Sequence, residues 1–335
     1  MALDASIALG AETAYGTAAS TVDGYEGKGD SWKTTREFME SVGFRTGLQT
    51  ARADRRRIVD MGGEGEIECD VLDAGAATLF AAAFDRHETK AVGKTTVHTF
   101  NSASTGSGQS FTAEMVRPKA SGGVTAFRHV GCVATTVEFT QEVGSPLSVK
   151  VGFDFQTVTH GRNPLAPVYP AEAFPYDWTA GVVELKTPGA SAYTPLDVTK
   201  WSVSAESGLK TDRRFVRANP LKKVPVRAAV PTYEGSIEAE WDDSTLALYE
   251  AFIAGAVLSA RITYTGATKA SDGKSSALVI DAPAIQFTGD SPEASIDEIT
   301  TMELPFRILD PGAADALTLV YTEPTPATPA PPTGT

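Results

Sequence analysis

The sequence predicts a mostly β protein built from two tandem β-sandwich or half-barrel domains, each with one flanking α-helix. Two observations predict this fold class. Apolar residues alternate with polar ones over many short segments, and several short motifs occur twice in the same order. A length of 335 residues also suits two domains better than one.

Strands are indicated by the period-two alternation of apolar and polar residues. The segment 147–155 alternates large apolar residues with Ser148, Lys150, Gly152 and Asp154, the pattern of a strand with one buried face. Residues 133–139 form a similar run, and the residues between these two runs, Gly144-Ser145-Pro146, predict a hairpin turn. Residues 302–308 repeat the pattern near the end of the chain. These segments predict a sheet-rich core.

Helical character is confined to two stretches, residues 74–84 and 244–254. Asp73 and Asp243 stand directly before these stretches and are predicted to be their N-caps, because a carboxylate there accepts hydrogen bonds from free backbone N–H groups. The sequence therefore predicts two short helices among many strands.

The two helices belong to an internal repeat. Gly65-Glu66-Ile67-Glu68 before the first helix matches Gly235-Ser236-Ile237-Glu238 before the second. The other matches, in chain order, are residues 46–50 with 207–211, 54–56 with 212–214, and 137–140 with 285–288. Each match is short, but their common order predicts a tandem duplication.

Composition places the domain boundaries. Prolines interrupt the alternation over residues 161–180, and five prolines without a large apolar residue fill residues 322–335. We therefore predict a first domain at 1–160, a Pro-rich linker at 161–180, a second domain at 181–321, and a flexible Pro/Thr-rich tail at 322–335.

Charge excludes one class of function. The formal net charge is −13 with a pI near 4.8, which argues against gripping nucleic acid, since that requires clustered cations. An acidic surface can still face DNA if DNA must pass without sticking. The two cysteines form no disulfide framework, and neither a signal peptide nor a membrane-spanning stretch is visible. The chain is thus expected to fold in a reducing cytoplasm, without a membrane.

Two basic segments interrupt this acidic chain at matching places in the repeat. We call them the first arm, residues 50–63, and the second arm, residues 211–232. Both are longer than a hairpin connection requires, which favours arms that dock on another subunit or ring over solvated loops. The candidate docking residues are Arg52, Arg55, Arg56, Arg57, Arg213, Arg214, Arg217, Lys222, Lys223 and Arg227.

No motif for chemistry is apparent. The four histidines are scattered, no G-x-S-x-G or C-x-x-C occurs, and the acids around Asp242 are explained by a helix start. We predict no catalytic residue, no metal site and no cofactor, and hence no enzyme. Glu293, Asp297 and Glu298 form an acidic segment that could line a channel or belong to a solvated loop.

Several motifs resemble the phage tail tube protein family, over roughly residues 5–310. They are Glu12-Thr13-Ala14-Tyr15-Gly16-Thr17, the G-x-I-E strand before a capped helix, and the Phe287-Thr288 hairpin that ends in Glu303-Leu304-Pro305-Phe306. The resemblance implies a structural subunit that assembles with itself into stacked rings around a DNA channel. Sheets of neighbouring subunits would join into an inner barrel, and a long loop between two early strands would contact the adjacent subunit or ring.

The resemblance also implies partners and a location. A duplicated chain could form a ring as a trimer with pseudo-sixfold symmetry, or as a hexamer with the second domain outside. Tape measure, tail terminator and baseplate proteins would be partners, and DNA would pass through without specific binding. The protein would be part of the virion tail, assembled in the bacterial host cytoplasm. The alternative left open is a non-catalytic carbohydrate-binding or adhesin-type β-sandwich protein of a virion or cell surface.

Overall fold

The structure, a computed structural model, describes residues 4–41, 43, 46–47, 50, 52–84, 86–102, 109–289, 291–292 and 299–325. In these ranges 19 strands form one extended sheet system, two short strands form a second sheet, and two α-helices are present. The mostly β fold predicted from the alternation is confirmed.

The described residues of the first half, 1–160, form ten strands and one α-helix, and the tenth strand continues two residues into the predicted linker. They are β1 (Ser6–Ala11), β2 (Val22–Tyr25), β3 (Lys33–Glu40), β4 (Arg56–Asp70), α1 (Ala77–Ala83), β5 (Arg86–Val92), β6 (Thr95–Asn101), β7 (Phe111–Pro118), β8 (Val124–Glu142), β9 (Ser148–Phe155) and β10 (Thr157–Arg162). The strand runs predicted at 133–139 and 147–155 are confirmed as parts of β8 and β9.

The second half, residues 181–321, follows a short linker strand, β11 (Pro167–Val168). Its elements are β12 (Gly181–Lys186), β13 (Thr194–Leu196), β14 (Lys200–Glu206), β15 (Leu209–Lys210), β16 (Val226–Arg227), β17 (Thr232–Glu240), α2 (Asp243–Ile253), β18 (Leu258–Lys269), β19 (Ser275–Phe287), β20 (Thr301–Ile308) and β21 (Thr318–Pro324). The run predicted at 302–308 is confirmed as β20. Strand β21 includes the first residues of the predicted tail.

The same order of antiparallel pairings occurs in both halves. It is β2–β1–β7–β8–β9–β4–β3 in the first half and β13–β12–β18–β19–β20–β17–β14 in the second. A register shift also recurs, after Phe111 opposite Cys132 and after Leu258 opposite Ile285. By these registers Ile285 of the second half is equivalent to Cys132 of the first half, whereas the match between the repeated motifs made it equivalent to Val137. The division into two tandem domains stays a prediction, which this repeated order supports.

Both predicted helices exist, but their predicted N-caps are wrong. The N-cap of α1 is Ala76, which makes no side-chain cap hydrogen bond. The N-cap of α2 is Asp242, whose Oδ1 accepts hydrogen bonds from the N–H groups of Ser244 (2.8 Å) and Thr245 (3.0 Å). Asp242 has the extended backbone that a cap needs, whereas Asp243 is already the first helical residue.

Asp73 instead joins the two halves. Its side chain is fully buried and accepts hydrogen bonds from Phe174 N (2.9 Å), Thr268 N (2.7 Å), Thr268 Oγ1 (2.9 Å) and Ser276 Oγ (3.1 Å). Its donors therefore lie in the linker and in the β18–β19 hairpin of the second half. Four donors satisfy a carboxylate that burial would otherwise penalise.

We expect Asp73→Ala to lower the free energy of unfolding by roughly 3 to 5 kcal/mol, because it leaves several buried donors without an acceptor. Asp243→Ala is the matched control at the equivalent sequence position. Asp243 is exposed at the first turn of α2, so its loss should cost less than about 1 kcal/mol. Urea denaturation of both variants measures the difference, and equal losses would contradict this role for Asp73.

His129 lies in the core of the first half. It is 1% exposed, packs between Trp32 (ring centroids 4.6 Å apart) and Phe155 (4.7 Å), and has Nδ1 3.3 Å from the carbonyl oxygen of Ala113. Burial lowers the pKa of His129 to about 4, because the charged imidazolium would lose its hydration. His129 is therefore neutral in the folded chain at neutral pH.

Acid should destabilise the fold through His129. The unfolded histidine titrates near 6.5 and the folded one near 4, so the unfolded chain binds the proton first. This contribution is fully present above about pH 6.5 and is lost as the pH falls toward 4. We expect a loss of roughly 2 to 3 kcal/mol between pH 7.5 and 4.5 that His129→Gln lacks. Chemical denaturation at both pH values tests this, and equal losses in both proteins would contradict it.

Candidate functional site

A strand pairing joins the two halves into one sheet. Strand β14 of the second half pairs antiparallel with β8 of the first, with Lys200 opposite Glu142 and Glu206 opposite Thr136. Beneath this joint the Trp201 indole donates a hydrogen bond to the Tyr264 hydroxyl (3.0 Å), which donates to Gln141 Oε1 (3.1 Å). Because β14 pairs with both β17 and β8, neither of its edges is free.

A second pairing between the halves lies in another part of the sheet system. Strand β21 of the second half pairs along its whole length with β6 of the first, which β5 extends as a hairpin. At this joint His98 Nε2 lies 3.2 Å from Glu323 Oε1, and Glu323 Oε2 accepts a hydrogen bond from Gly75 N (2.8 Å). The halves are thus held together by two sets of strand pairs and by Asp73.

One face of the joined sheet is rich in glutamate. Alternate residues of β4, β9, β8, β14, β17 and β20 are buried, and the residues between them point to the opposite face. In this register Glu138 lies opposite Lys150 on one side and Ser204 on the other. The glutamates of this acidic face are Glu64, Glu66, Glu68, Glu138, Glu142, Glu206, Glu234, Glu238, Glu240 and Glu303.

Few cations balance these carboxylates. Lys150 pairs with Glu66 (3.2 Å), Arg307 pairs with Glu234 (3.4 Å), and Lys200 lies opposite Glu142 and Glu238. Like charges at this density repel a polyanion. The residues proposed from sequence for a negative lining, Glu293, Asp297 and Glu298, lie outside the described residues. Sequence reasoning missed the acidic face, although Glu66 and Glu68 at alternate positions of a strand were a signal for it.

The second arm folds back onto the first half of the same chain. Lys222, only 6% exposed in its side chain, donates to Asp154 Oδ1 of β9 (2.5 Å), and its carbonyl accepts from Gln156 Nε2 (2.7 Å). Arg214 pairs with Asp60 of β4. We call Asp154 with Asp60 the socket of the first half. These acids were not singled out in the sequence, because only the fold brings them to the arm.

The socket contains polar atoms without a protein partner. Tyr15 OH, Asp154 Oδ2 and Arg214 Nε are buried and make no hydrogen bond with any residue that the structure describes. Burial raises the pKa of Asp154, while the nearby Lys222 and Arg214 oppose that rise. Burial and the nearby charge of Asp154 also raise the pKa of Tyr15 above its usual range. Ordered water in this socket would satisfy them.

The other basic residues of the second arm contact the arm itself or the residue that follows β14. Arg213 donates to Val224 O (2.7 Å), Arg217 to Leu221 O (2.5 Å), and Arg227 to Ser207 O (3.3 Å). The Lys223 ammonium lies 4.9 Å from the centre of the Phe215 ring. The structure thus uses these side chains to shape the second arm, and Lys222 and Arg214 to attach it.

The first arm has a different environment. It contains a 3-10 turn (Ala53–Arg55) and continues into β4, which pairs with β3 as a projecting hairpin. Arg52 pairs with Asp54 (2.5 Å), and Arg56 pairs with Glu40 (3.0 Å) and lies over the Phe38 ring. Within the described ranges Arg55 and Arg57 form no ion pair. The four arginines of this arm are therefore brought to one exposed hairpin.

Large apolar side chains are also exposed on the β3–β4 hairpin. The exposed fractions are 46% for Phe38, 57% for Met39, 42% for Ile58 and 39% for Val59. Every residue of β3 is exposed, and in the described structure β3 pairs only with β4. An exposed apolar patch beside an unpaired strand edge is typical of a surface that another chain covers.

Two other kinds of site find no support in the described part of the chain. No group of three or more His, Cys, Asp or Glu side chains there could hold a metal ion. None of its helices is long and apolar enough to span a membrane. Both cysteines are free and buried, and burial raises the pKa of the Cys69 thiol to about 12.

Comparison with known proteins identifies the family. A family model described as phage tail tube protein matches residues 2–308, which is most of the chain. None of the curated proteins matches the sequence. The match covers the first half, the β8–β14 joint and the acidic face described above, and it ends before β21. The chain belongs to the phage tail tube protein family.

Proposed function

We propose that this chain is a non-catalytic subunit that assembles with copies of itself into stacked rings, which form the tail tube and its DNA channel. Membership of the tail tube family supports the structural role. The observation that carries the channel proposal is the acidic face, which continues across the β8–β14 joint from one half of the chain to the other.

The pairing order supports a particular ring. Strand β3 occupies in the first half the place that β14 occupies in the second, but its outer edge has no partner in the described structure. Pairing of β3 with the second half of a neighbouring chain would repeat the β14–β8 joint. Repetition around a ring would pair every such edge and so remove it as a site of aggregation.

A trimer is the stoichiometry that we propose. Three chains supply six halves with pseudo-sixfold symmetry, because the β8–β14 joint places both halves of a chain side by side in one sheet. In a hexamer with the second half outside the ring, the sheet around the channel would instead have to end between the two halves of each chain. The acidic face would then line the channel, and repulsion would let DNA pass without specific binding.

The remaining parts of the proposal follow from the family. The tube would be part of the virion tail, assembled in the bacterial host cytoplasm, and would meet tape measure, tail terminator and baseplate proteins. The β3–β4 hairpin, with its apolar side chains and arginines, would dock on an adjacent subunit or ring.

Electron microscopy of the concentrated, purified chain tests this function. We expect rings or tubes with a central hole, and averaged end views with six similar lobes that fall into three pairs. Mass measurement of isolated rings should give three chains. Six chains per ring would contradict the trimer, and a chain that stays monomeric at high concentration, alone and with preformed tail tips, would contradict the tube.

A further inference from the structure

The second half does not repeat the socket that holds the second arm. In the first half Asp154 of β9 lies opposite Glu64 of β4. In the second half the corresponding place on β20, opposite Glu234 of β17, is held by Arg307. The neighbouring residue pairs confirm this alignment. An aromatic residue of β9 lies opposite Gly65 in the first half, and an aromatic residue of β20 lies opposite Gly235 in the second half. The charge at this position is therefore inverted.

The two positions also differ in environment. The side chains of Asp154 and Lys222 are 16% and 6% exposed, and the second arm covers them. The side chains of Arg307 and Glu234 are 59% and 54% exposed and pair with each other. The socket in the first half is thus filled from within the chain, whereas Arg307 lies at the surface.

We propose that Asp154 and Arg307 are specificity residues, which direct the second arm to the first half of its own chain and reject its docking on the second half of another copy. This inference rests on the proposed ring. Within that ring the second arm docks inside its own chain, an arrangement that we call the clamp. The β3–β4 hairpin is then the segment that contacts a second copy.

The physical reason is the cost of burying Lys222 beside a cation. Against Asp154 the ammonium gains a charged hydrogen bond, but against Arg307 it would lose its hydration and meet a like charge. Docking on the second half of another copy would be a head-to-tail contact that leaves a new socket open each time. Such contacts build open chains instead of closed rings, so rejecting them protects assembly.

Cross-linking in the unassembled chain tests where the second arm docks. Asp60→Cys and Arg214→Cys remove one of the two ion pairs that attach the arm, so docking in this reporter depends on Lys222 and Asp154, and a short bis-maleimide detects it. The native Cys69 and Cys132 are 3% and 0% exposed and should not react. With equal amounts of isotope-labelled and unlabelled chain, we expect linked peptides from one chain only. Mixed-label peptides at the statistical fraction would overturn the clamp.

Charge variants in the same reporter chain test Asp154. Asp154→Arg should lower the cross-linking yield at least tenfold, and adding Lys222→Glu should restore it. Asp154→Asn serves if the reversed charge prevents folding, and it should lower the yield as well. An unchanged yield in all variants that fold would overturn the role of Asp154.

A variant that moves the acidic residue from the first half to the second half tests the role of Arg307. Asp154→Arg with Arg307→Asp keeps the net charge but places the acid on the second half. We expect oligomers larger than the monomer in light scattering, which Asp154→Arg alone does not form. Identical sizes would overturn the role of Arg307. These readouts precede tube formation, so a chain that clamps correctly but forms no tubes would contradict the ring proposal and not this one.

Discussion

Replacement of Arg55, Arg56 and Arg57 by glutamate should leave the chain folded and abolish tube growth. These arginines are exposed on the projecting β3–β4 hairpin, and within the described structure only Arg56 has an acidic partner, Glu40. Surface charges of this kind contribute little to folding, so the midpoint of urea denaturation should change little. Reversal of three charges beside an apolar docking patch should instead repel the acidic surface of another copy.

A matched variant separates the position of the charges from their number. Lys119, Lys269 and Lys274 are exposed near hairpin turns, and their replacement by glutamate gives the same change in net charge. We expect this control to form tubes in the electron microscope, while the arginine variant forms none over a tenfold range of protein concentration. Tubes of normal length from the arginine variant would contradict the docking role.

Salt gives a second measurement of the same contact. If ion pairs hold the hairpin against a neighbouring acidic surface, raising the ionic strength should slow tube growth of the natural sequence. The apolar residues Phe38 and Met39 should oppose that trend, because their burial is not screened by salt. Growth that is independent of salt would therefore assign the docking energy to the apolar residues.

The sequence was sufficient to predict elements whose pattern is local. Alternation predicted β8, β9 and β20, and the two helices were predicted from the only two stretches with helical character. The N-caps of the helices were harder to predict, because each cap depends on a single residue. Asp242 and Asp243 are adjacent acids, and only the backbone angles of the fold make Asp242 the cap.

Contacts between distant segments could not be predicted in the same way. Asp73 has the local signature of a cap, yet three of its four donor groups belong to Thr268 and Ser276, which are 195 and 203 residues away in the chain. Lys222 looked like any other basic residue of the second arm, because its partner Asp154 sits at an outward-facing position of an ordinary strand. Burial and charge partners of this kind follow from strand register, which a single sequence does not specify.

The acidic face depends both on local sequence pattern and on contacts between distant segments. Each glutamate could be assigned to the polar side of its strand, but the joint between β8 and β14 is what brings the two groups of glutamates onto one surface. Glu206 lies in the joint itself, while Glu240 and Glu303 extend the face over β17 and β20. Their shared surface is the reason to test them together and not singly.

Replacement of Glu206, Glu240 and Glu303 by lysine should convert a passive surface into one that retains DNA. All three are exposed, and Glu303 lies opposite Glu238, so its replacement also relieves a like-charge contact. We therefore expect normal folding and normal tubes. The unassembled variant should bind duplex DNA at low salt, with an affinity that falls steeply as salt releases counterions, whereas the natural chain should not bind.

The consequence for the phage should be a loss of infectivity without a loss of tails. Cations along the channel would hold the polyanion that must move through it, so virions should form but eject DNA slowly or incompletely. Glu88, Glu172 and Glu250 are exposed elsewhere, and their replacement by lysine is the control for net charge. If the control lowers the plaque titre as much as the acidic-face variant does, the face does not line the channel; if only the acidic-face variant does so, the glutamates act where DNA passes.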